Sequence, residues 1–309
     1  MGISKGLVIG AAIVVCIAGG VFATQQAANS KVKKELDLSI ADVAEYVSIE
    51  YDNVSTSLLS KSVSIKNLKI AEKDSSEILQ ISELSVSNWK VGSKAQTDLC
   101  VDMNGIDIPL AELYAEAPEM KKLGYGDIVN GNVSWCYKYD LKGGTLALNG
   151  LEMSIDKVGA VSFSIVLSNL DLGIDITGKT DDEVLEEAVK QFELNPMMAL
   201  GMLTKIALTS AEIKYIDAGV VPKWLDMIEA NEQVTRKEMR AKLSRELEQN
   251  MGGTEKRTVQ ARKSLMNFFD NPNVIRVIIA PKKPVSIMSL QALRTPDDIM
   301  DRLDLRVLN

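Results

Sequence analysis

The fold is decided by the stretch Val63-Ser-Ile65-Lys-Asn-Leu68-Lys-Ile70. Two apolar residues alternate with polar ones, a two-residue step follows, and two more apolar residues resume the alternation. Alternation at period two is typical of a strand with one buried face. The additional residue at the step would turn Leu68 to the opposite face, so we expect a β-bulge to restore the register. The alternative is that such a segment forms two short strands, or a strand and a turn.

The same spacing, here called the strand motif, recurs along the chain. Further copies begin at Ile49, Leu79, Leu146, Ile165 and Ile206, and the first and last are the weakest. The intervals between copies are irregular, which predicts one sheet built from a recurring strand type and not a fixed-period solenoid. The apolar residues of the motif predict one common apolar face, which becomes a groove if the sheet is the groove-like one that the family resemblance described below implies. Its candidate lining residues are Val63, Ile65, Leu68, Ile70, Ile81, Leu84, Leu148, Leu151, Leu167 and Leu170.

Composition excludes several classes of function. The chain has 309 residues, a formal net charge of -7 and no histidine. An acidic chain lacks the basic surface that neutralises nucleic-acid phosphates, so no nucleic-acid partner is expected. The absence of imidazole excludes Ser-His-Asp and Cys-His nucleophiles and histidine-based zinc sites. We therefore predict a protein that is not an enzyme, with no catalytic, cofactor-binding or metal-binding residues.

The paired carboxylates of the sequence are assigned to helix starts. Asp181-Asp182 and Asp297-Asp298 each occupy the first turn of a predicted helix, where the helix dipole favours anions. The run Thr180-Asp-Asp-Glu183 has the spacing of a capping box. These acidic pairs are therefore interpreted as structural.

Cys100 and Cys136 lie in strand-like segments, whereas Cys16 lies in the N-terminal apolar run. In an oxidising compartment the first two could form a disulfide that stabilises the fold by roughly 3 to 4 kcal/mol in the chain-entropy model. The alternative is a pair of buried free thiols. The disulfide is the interpretation preferred if the body is exported.

The N-terminus predicts a membrane anchor. No charged residue occurs between Gly6 and Thr24, and this length as a helix covers about 27 Å, close to the hydrocarbon thickness of a bilayer. A cleaved signal peptide ending near Val21-Phe-Ala23 is the alternative, although its apolar core is usually shorter. Lysines occur on both sides of the span, so charge counting does not decide its orientation.

The sequence predicts an α+β fold in three regions. Residues 1–30 form the anchor or signal peptide, and residues 31–179 form a curved, bulged, mainly antiparallel sheet. Residues 180–309 form a helix-rich region with returning strands, whose amphipathic helices lie on one side or at one end of the sheet. A heavily charged helix in this third region is a candidate partner-binding arm. Its marker residues are Arg236, Arg240, Arg245 and Glu248.

Two stretches carry a resemblance to a known group of proteins. The first strand motifs shortly after an apolar N-terminus resemble the opening strands of AsmA-like and YdgA-like bacterial envelope proteins. The stretch Phe268-Phe-Asp-Asn-Pro272, followed by Val277-Ile-Ile-Ala-Pro281, is similar to the closing region of the YdgA-like group. The resemblance covers under half of the chain. It implies an inner-membrane anchor with the body in the periplasm, and a groove-like sheet that handles lipids.

Two functions remain open from the sequence. In the first, a single-pass protein of the bacterial inner membrane keeps its apolar sheet face open as a trough for phospholipid chains, in lipid handling or envelope maintenance. In the second, helices cover that face, and the charged arm binds a protein partner or a second copy within a membrane complex. They are distinguished by whether the apolar face is covered.

Overall fold

The chain is built around one antiparallel sheet of twelve strands, as shown by a computed structural model that describes residues 29–57, 61–72, 78–88, 97–291 and 293–309. The strand order is β1-β3-β4-β5-β6-β7-β8-β9-β10-β12, with β2 also pairing to β3 and β11 to β9. The expectation of a large antiparallel sheet in an α+β protein is confirmed. The sheet also crosses the expected boundary at residue 180, because β9 to β12 continue it.

The strands follow the chain in simple order. Their bounds are β1 Val47–Glu50, β2 Asn53–Ser57, β3 Ser62–Glu72, β4 Ile78–Ser87, β5 Asp98–Pro109, β6 Ile128–Asp140, β7 Thr145–Ile155, β8 Gly159–Ser168, β9 Ala207–Asp217, β10 Val274–Ile279, β11 Val285–Ser286 and β12 Arg306–Leu308. Most neighbours in sequence are neighbours in the sheet, which is the meander that the polar turns between the motifs predict.

The helices occupy the N-terminus, the β5–β6 connection and the C-terminal half. Their bounds are α1 Asn29–Val43, α2 Ala111–Glu116, α3 Asp181–Leu194, α4 Pro196–Lys205, α5 Val220–Glu232, α6 Arg236–Asn250, α7 Lys256–Asp270, α8 Ile287–Leu290 and α9 Pro296–Arg302, with a 3-10 helix at Pro118–Leu123. Residues 108 and 109 end β5, and the two short helices at 111–116 and 118–123 follow in the connection to β6.

The strand motifs place their apolar residues on one face. Leu68 lies opposite Ile81, and Ile81 lies opposite Ile106 in the next strand. The motif copy at Ile49 is divided between β1 and β2, so the alternative of two short strands applies there. The sequence contains one more copy, Val101-x-Met103-x-x-Ile106-x-Ile108, which forms β5 and which the sequence analysis missed.

The steps of the motif behave in two ways. In β3, β4 and β5 the steps occupy paired positions. The extra residue of one strand therefore lies opposite the extra residue of the next strand, and the register of the strand pairing is unchanged. From β5 onward the register shifts at each strand pair through β9. The left-handed backbone at the steps is adopted by Asn67 (φ 52°), Gly105 (φ 62°) and Gly150 (φ 62°). Asn and Gly tolerate this conformation best, which explains their presence in the motif.

Two separate groups of helices cover the ends of the apolar face. At the β1 to β5 end, Val32 and Leu36 of α1 are buried with the inward residues of the strands. At the other end, the small residues Ala261 and Ser264 let α7 pack closely over β10 and β12. Leu303, which follows α9, joins a neighbouring cluster around β9 and β11.

Helix capping follows the sequence closely. The Thr180 side chain accepts a hydrogen bond from the Glu183 N–H, and the Glu183 carboxylate accepts one from the Thr180 N–H, which confirms the expected capping box. Asp297 and Asp298 lie in the first turn of α9, as expected. A second capping box at Thr235 and Glu238 starts α6 and was missed in the sequence analysis.

The expected N-terminal transmembrane helix requires correction. Among the described residues, no helix combines the length and the apolar character needed to cross a bilayer. The segment between Gly6 and Thr24, on which the expectation was placed, lies outside the described residues. The predictions of a transmembrane helix in the fold and of a single-pass inner-membrane location are therefore withdrawn.

Candidate functional site

Half of the expected groove is closed. The candidate residues of β3 and β4 are packed in a hydrophobic core, and Leu68 and Ile81 are each only 1% exposed. These two side chains, and the others of the same set, cannot contact a ligand in this arrangement. The set is Val63, Ile65, Leu68, Ile70, Ile81 and Leu84. An open trough along the whole sheet is therefore wrong.

The middle of the same face is open. Met153, Val161 and Ile213 are 49%, 44% and 46% exposed. Met153 lies directly opposite Val161, and Ile213 lies opposite Phe163, two residues further along β8. Together with Phe163, these side chains form what we call the central apolar patch. It spans β7, β8 and β9.

The remaining candidate residues lie beside this patch. Leu148, Leu151 and Leu167 are half-buried on the same strands, and Ile165, opposite Leu148, has a similar burial. Leu170 lies beyond the end of β8, where its N–H donates to the Gly144 carbonyl at 2.9 Å. The structure thus places Leu148 and Leu151 at the edge of the patch and Leu170 at a turn, whereas Leu167 packs in the cluster of Leu208 and Val285.

Packed clusters flank the patch on both sides. Val133 and Trp135 of β6 pack against the core of the β1 to β5 end. On the other side, the Tyr215 ring meets Phe268 of α7 edge to face, with ring centroids 5.9 Å apart. The patch is therefore a gap between two covered ends of one apolar surface. Exposed apolar surface of this kind commonly marks a site of interaction.

A polar cluster adjoins the patch at Tyr215, which lies directly opposite Val161. The Tyr215 hydroxyl donates to Asp217 Oδ1 at 2.8 Å. Lys223 Nζ lies 4.4 Å from the Tyr125 ring centroid and donates to the Leu123 carbonyl at 3.1 Å. The Tyr125 hydroxyl is buried and has no hydrogen-bond partner among the described residues. The cluster therefore offers the exposed Lys223 ammonium group close to an apolar surface, whereas the Tyr125 hydroxyl is closed off from solvent.

The tyrosines of this cluster stay neutral. Burial raises the pKa of the Tyr125 hydroxyl, and the nearby Asp217 carboxylate raises it further. Burial also raises the pKa of Tyr215, as does its hydrogen bond to Asp217. Neutral hydroxyls can donate hydrogen bonds to an anion. Asp217 is already engaged, because it also accepts from the N–H groups of Gly219 and Val221 at the start of α5.

The cysteine pair lies on the opposite face of the sheet. Cys100 and Cys136 face each other across β5 and β6 and form a disulfide with an S–S distance of 2.05 Å. Their neighbours Leu99 and Val101 point to the apolar face, because side chains alternate along a strand. The disulfide therefore joins two strands beside the closed end of the core and takes no part in the central apolar patch.

The charged arm is tied to its own chain. Arg236 donates to Asp226 Oδ1 at 2.6 Å, which links α6 to α5. Arg240 forms an ion pair with Asp270 of α7, with Nε and Oδ1 2.8 Å apart. Arg245 donates to a carbonyl of its own helix, and Glu248 is exposed. The two arginines nearest the start of the arm thus hold helices together.

The acidic side chains of the described residues are spread out or engaged in ion pairs and hydrogen bonds at helix junctions. No group of three or more Asp, Glu or Cys side chains there could hold a metal ion. Acidic side chains do gather where α7 meets α9, but Arg257 pairs with Asp304 at 2.8 Å and with Asp301 at 3.7 Å. Thr258 donates to Asp297 in the same region. These contacts are those of a helix–helix junction.

A family model with the description "Uncharacterized protein" matches residues 152–309, a little over half of the chain. The chain belongs to this family. The family region includes the central apolar patch and all helices from α3 to α9, whereas β1 to β6 lie outside it. No curated protein sequence matches the chain. The family match gives no support to the resemblance to AsmA-like or YdgA-like proteins.

Proposed function

We propose that the protein handles lipids by holding an acyl chain on the central apolar patch. The observation that carries the proposal is the exposure of Met153, Val161 and Ile213 in the middle of a face that helices cover at both ends. An apolar face that helices covered completely would need no ligand to shield it from water. An acyl chain laid across three strands would remove these side chains from water, and apolar burial is the main source of affinity for such ligands.

The polar cluster supports an amphiphile over a plain hydrocarbon. Tyr215, opposite Val161, donates to Asp217, and the Asp217 carboxylate lies close enough to Tyr125 to raise its pKa. A tail on Val161 therefore brings a head group towards Tyr125 and the Lys223 ammonium group that lies over its ring. The exposed Lys223 ammonium group can donate hydrogen bonds to a carboxylate or a phosphate. The ligand class is therefore a single-chain anionic lipid or one chain of an anionic phospholipid.

The alternative function, a subunit that binds its partner through the charged arm, has weaker support. Arg236 and Arg240 are the most prominent cations of the arm, and both are engaged in ion pairs within the chain. A partner would have to replace these contacts or bind through Arg245 and Glu248 alone. Exposed pairs of this kind contribute little affinity individually.

The proposal is tested with the full chain and a fluorescent polyene fatty acid such as parinaric acid. Val161→Asp places a charge in the patch, whereas the matched variant Ser162→Asp places the same charge on the opposite face of β8. We expect Val161→Asp to weaken binding by about tenfold or more and Ser162→Asp by less than about twofold. Circular dichroism and urea unfolding check that both variants remain folded.

Two results contradict the proposal. One is that the full chain binds no parinaric acid and carries no copurifying lipid in native mass spectrometry. The other is that the two variants bind equally well, because the ligand would then lie elsewhere.

A further inference from the structure

Three Asn-Gly dipeptides lie in neighbouring strands of the sheet, at Asn104-Gly105 in β5, Asn130-Gly131 in β6 and Asn149-Gly150 in β7. In such a dipeptide the glycine nitrogen can attack the side-chain amide of the asparagine, because glycine has no side chain to hinder the approach. A strand that is held on both sides opposes this attack, since the backbone must first open locally. The three sites differ in how firmly they are held.

Asn104-Gly105 is held by both neighbouring strands. Asn104 pairs with Glu83 of β4, and the Gly105 carbonyl accepts a hydrogen bond from the Ser82 hydroxyl at 3.3 Å. On the other side, the Gly105 N–H donates to Asn132 Oδ1 of β6 at 3.0 Å. The nitrogen that would attack the Asn104 amide is therefore already engaged.

Asn130-Gly131 is held in a different way. The Asn130 side-chain amide donates a hydrogen bond to the Asp107 carboxylate of β5. Gly131 is buried and pairs with Ile106 on one side and with Ile155 on the other. Both partners of the attack are therefore restrained, the amide by its hydrogen bond and the glycine by the sheet.

Asn149-Gly150 lies at the step of β7, where these restraints are missing. Gly150 has a left-handed backbone with a φ of 62° and no paired residue in β6 or β8. No atom of the described residues lies within 4 Å of a methyl group placed on it. Asn149 and Gly150 are both exposed. The backbone at this dipeptide can therefore move, and water can reach it.

We propose that Asn149 is a site of spontaneous deamidation. The Gly150 nitrogen loses its proton and forms a bond to Asn149 Cγ, while the Cγ–Nδ2 bond breaks and ammonia leaves with the proton. The product is a cyclic imide. Water then adds to one of its two carbonyl carbons and breaks a C–N bond, which leaves aspartate or isoaspartate at position 149. Water is the sole co-reactant, and no group is oxidised or reduced.

The modification changes the face of the sheet opposite the central apolar patch. Leu148 lies at the edge of the patch, so Asn149 points to the other face, where it lies opposite Cys136. Deamidation therefore adds a negative charge beside the disulfide. Isoaspartate also adds one atom to the backbone, at a step where β7 already has an extra residue. An isoaspartyl group is a substrate for protein carboxyl methyltransferases. The inference does not rest on the proposed function.

The test is incubation of the full chain at mildly alkaline pH, followed by reduction, trypsin digestion and mass spectrometry. Cleavage after lysine places the three dipeptides in separate peptides, residues 95–121, 123–138 and 143–157. We expect conversion of amide to acid at Asn149 to be at least about fivefold faster than at Asn104 or Asn130, the factor for one hydrogen bond that need not be broken. Methyl transfer from S-adenosylmethionine measures the isoaspartate.

Three controls separate the effect of the fold from that of the local sequence. In guanidinium chloride the strands are lost, and the three dipeptides should react at similar rates. Asn149→Gln should remove the isoaspartate of residues 143–157, because the longer side chain closes its ring slowly. Asn132→Ala removes the acceptor of the Gly105 N–H and should speed conversion at Asn104 by about fivefold.

Four results overturn the inference. In the folded chain, Asn149 converts no faster than the other two asparagines. The difference between the sites persists in guanidinium chloride, which would assign it to the local sequence. Isoaspartate remains in residues 143–157 of Asn149→Gln. Asn132→Ala leaves the rate at Asn104 unchanged, so that hydrogen bonding does not protect the dipeptides.

Discussion

Gly105 provides a direct test of how the strand motif is built. It is the left-handed step residue of β5, and a methyl group placed on it would lie 2.5 Å from Ser82 Oγ and 2.8 Å from Ser82 Cβ in β4. Gly150 has the same φ of 62° at the step of β7, but no atom of the described residues lies within 4 Å of a methyl group there. At both positions an alanine would be forced into the same left-handed backbone conformation, but only at Gly105 would its methyl group also clash with a neighbouring strand.

The expected losses in stability follow from this difference. Placing alanine in the left-handed region costs about 1 to 2 kcal/mol, and Gly150→Ala should show only this term. Rotation of the Ser82 hydroxyl would relieve the contact with Oγ, but the contact with Cβ remains and requires the two strands to move apart. Overpacking of this kind adds about 1 to 3 kcal/mol, so Gly105→Ala should lose about 2 to 5 kcal/mol. The replacement Ser82→Gly removes both clashing atoms and should return Gly105→Ala to the loss seen for Gly150→Ala.

Urea unfolding followed by circular dichroism measures all of these values, with stability taken from the midpoint and the slope. The double variant closes a cycle in which the coupling between positions 82 and 105 is the quantity of interest. If Gly105→Ala and Gly150→Ala lose the same stability within about 0.5 kcal/mol, the close approach of β4 and β5 at the step is wrong. A coupling of zero between the two positions leads to the same conclusion.

Three further predictions concern the core, the disulfide and pH. Leu68→Ala should lose about 2 to 5 kcal/mol in urea unfolding because the side chain is 1% exposed, whereas the exposed neighbour Lys69→Ala should change little. Reduction of the Cys100–Cys136 disulfide, whose cysteines are 36 residues apart, should lower the free energy of unfolding by about 4 kcal/mol; no change in the urea midpoint with a phosphine reductant would contradict this. The nearby Asp301 carboxylate raises the pKa of Glu255 above its ordinary value of 4.5, so its ionisation opposes folding as pH rises through the raised pKa. Glu255→Gln should therefore raise the urea midpoint at pH 7, and the gain should vanish below the unfolded pKa.

Much of the sheet could be predicted from the sequence, because the strand motif shows both which side chains lie on the apolar face and where the strand contains an extra residue. Alternation assigns Val63 and Ile65 to one side, and the step returns Leu68 to that side only if the backbone adds a residue. The copy at Val101 was missed because Asn104-Gly105 resembles a turn and Pro109 resembles a helix start. In the structure Gly105 takes the left-handed step and Pro109 ends the strand. Because the steps of β3, β4 and β5 occupy paired positions, these three strands pair without a register shift, and the copy at Val101 pairs with its neighbour in the same way.

The candidate site could be predicted only in part. Leu68 and Val161 both lie on the apolar face of the sheet, yet Leu68 is buried and Val161 is 44% exposed. Nothing local to either strand distinguishes them, because the difference comes from α1 packing at one end of the face and α7 at the other. Covering of this kind depends on contacts between distant segments, and periodicity within a strand carries no information about them.

The charged helix α6 is a second case in which the sequence alone does not show which side chains are free to bind a partner. A narrow apolar stripe with many charges predicts either a solvated arm or a partner surface. In α6 the spacing of Arg236 and Arg240 places both on the side that meets Asp226 and Asp270, so charges that look available in sequence hold three helices together. By contrast, Val161 in the sheet is an apolar side chain that the described helices leave 44% exposed. These engaged cations and the exposed Val161 support the proposed lipid ligand over a partner of the charged arm, and Val161→Asp with its control Ser162→Asp tests that choice.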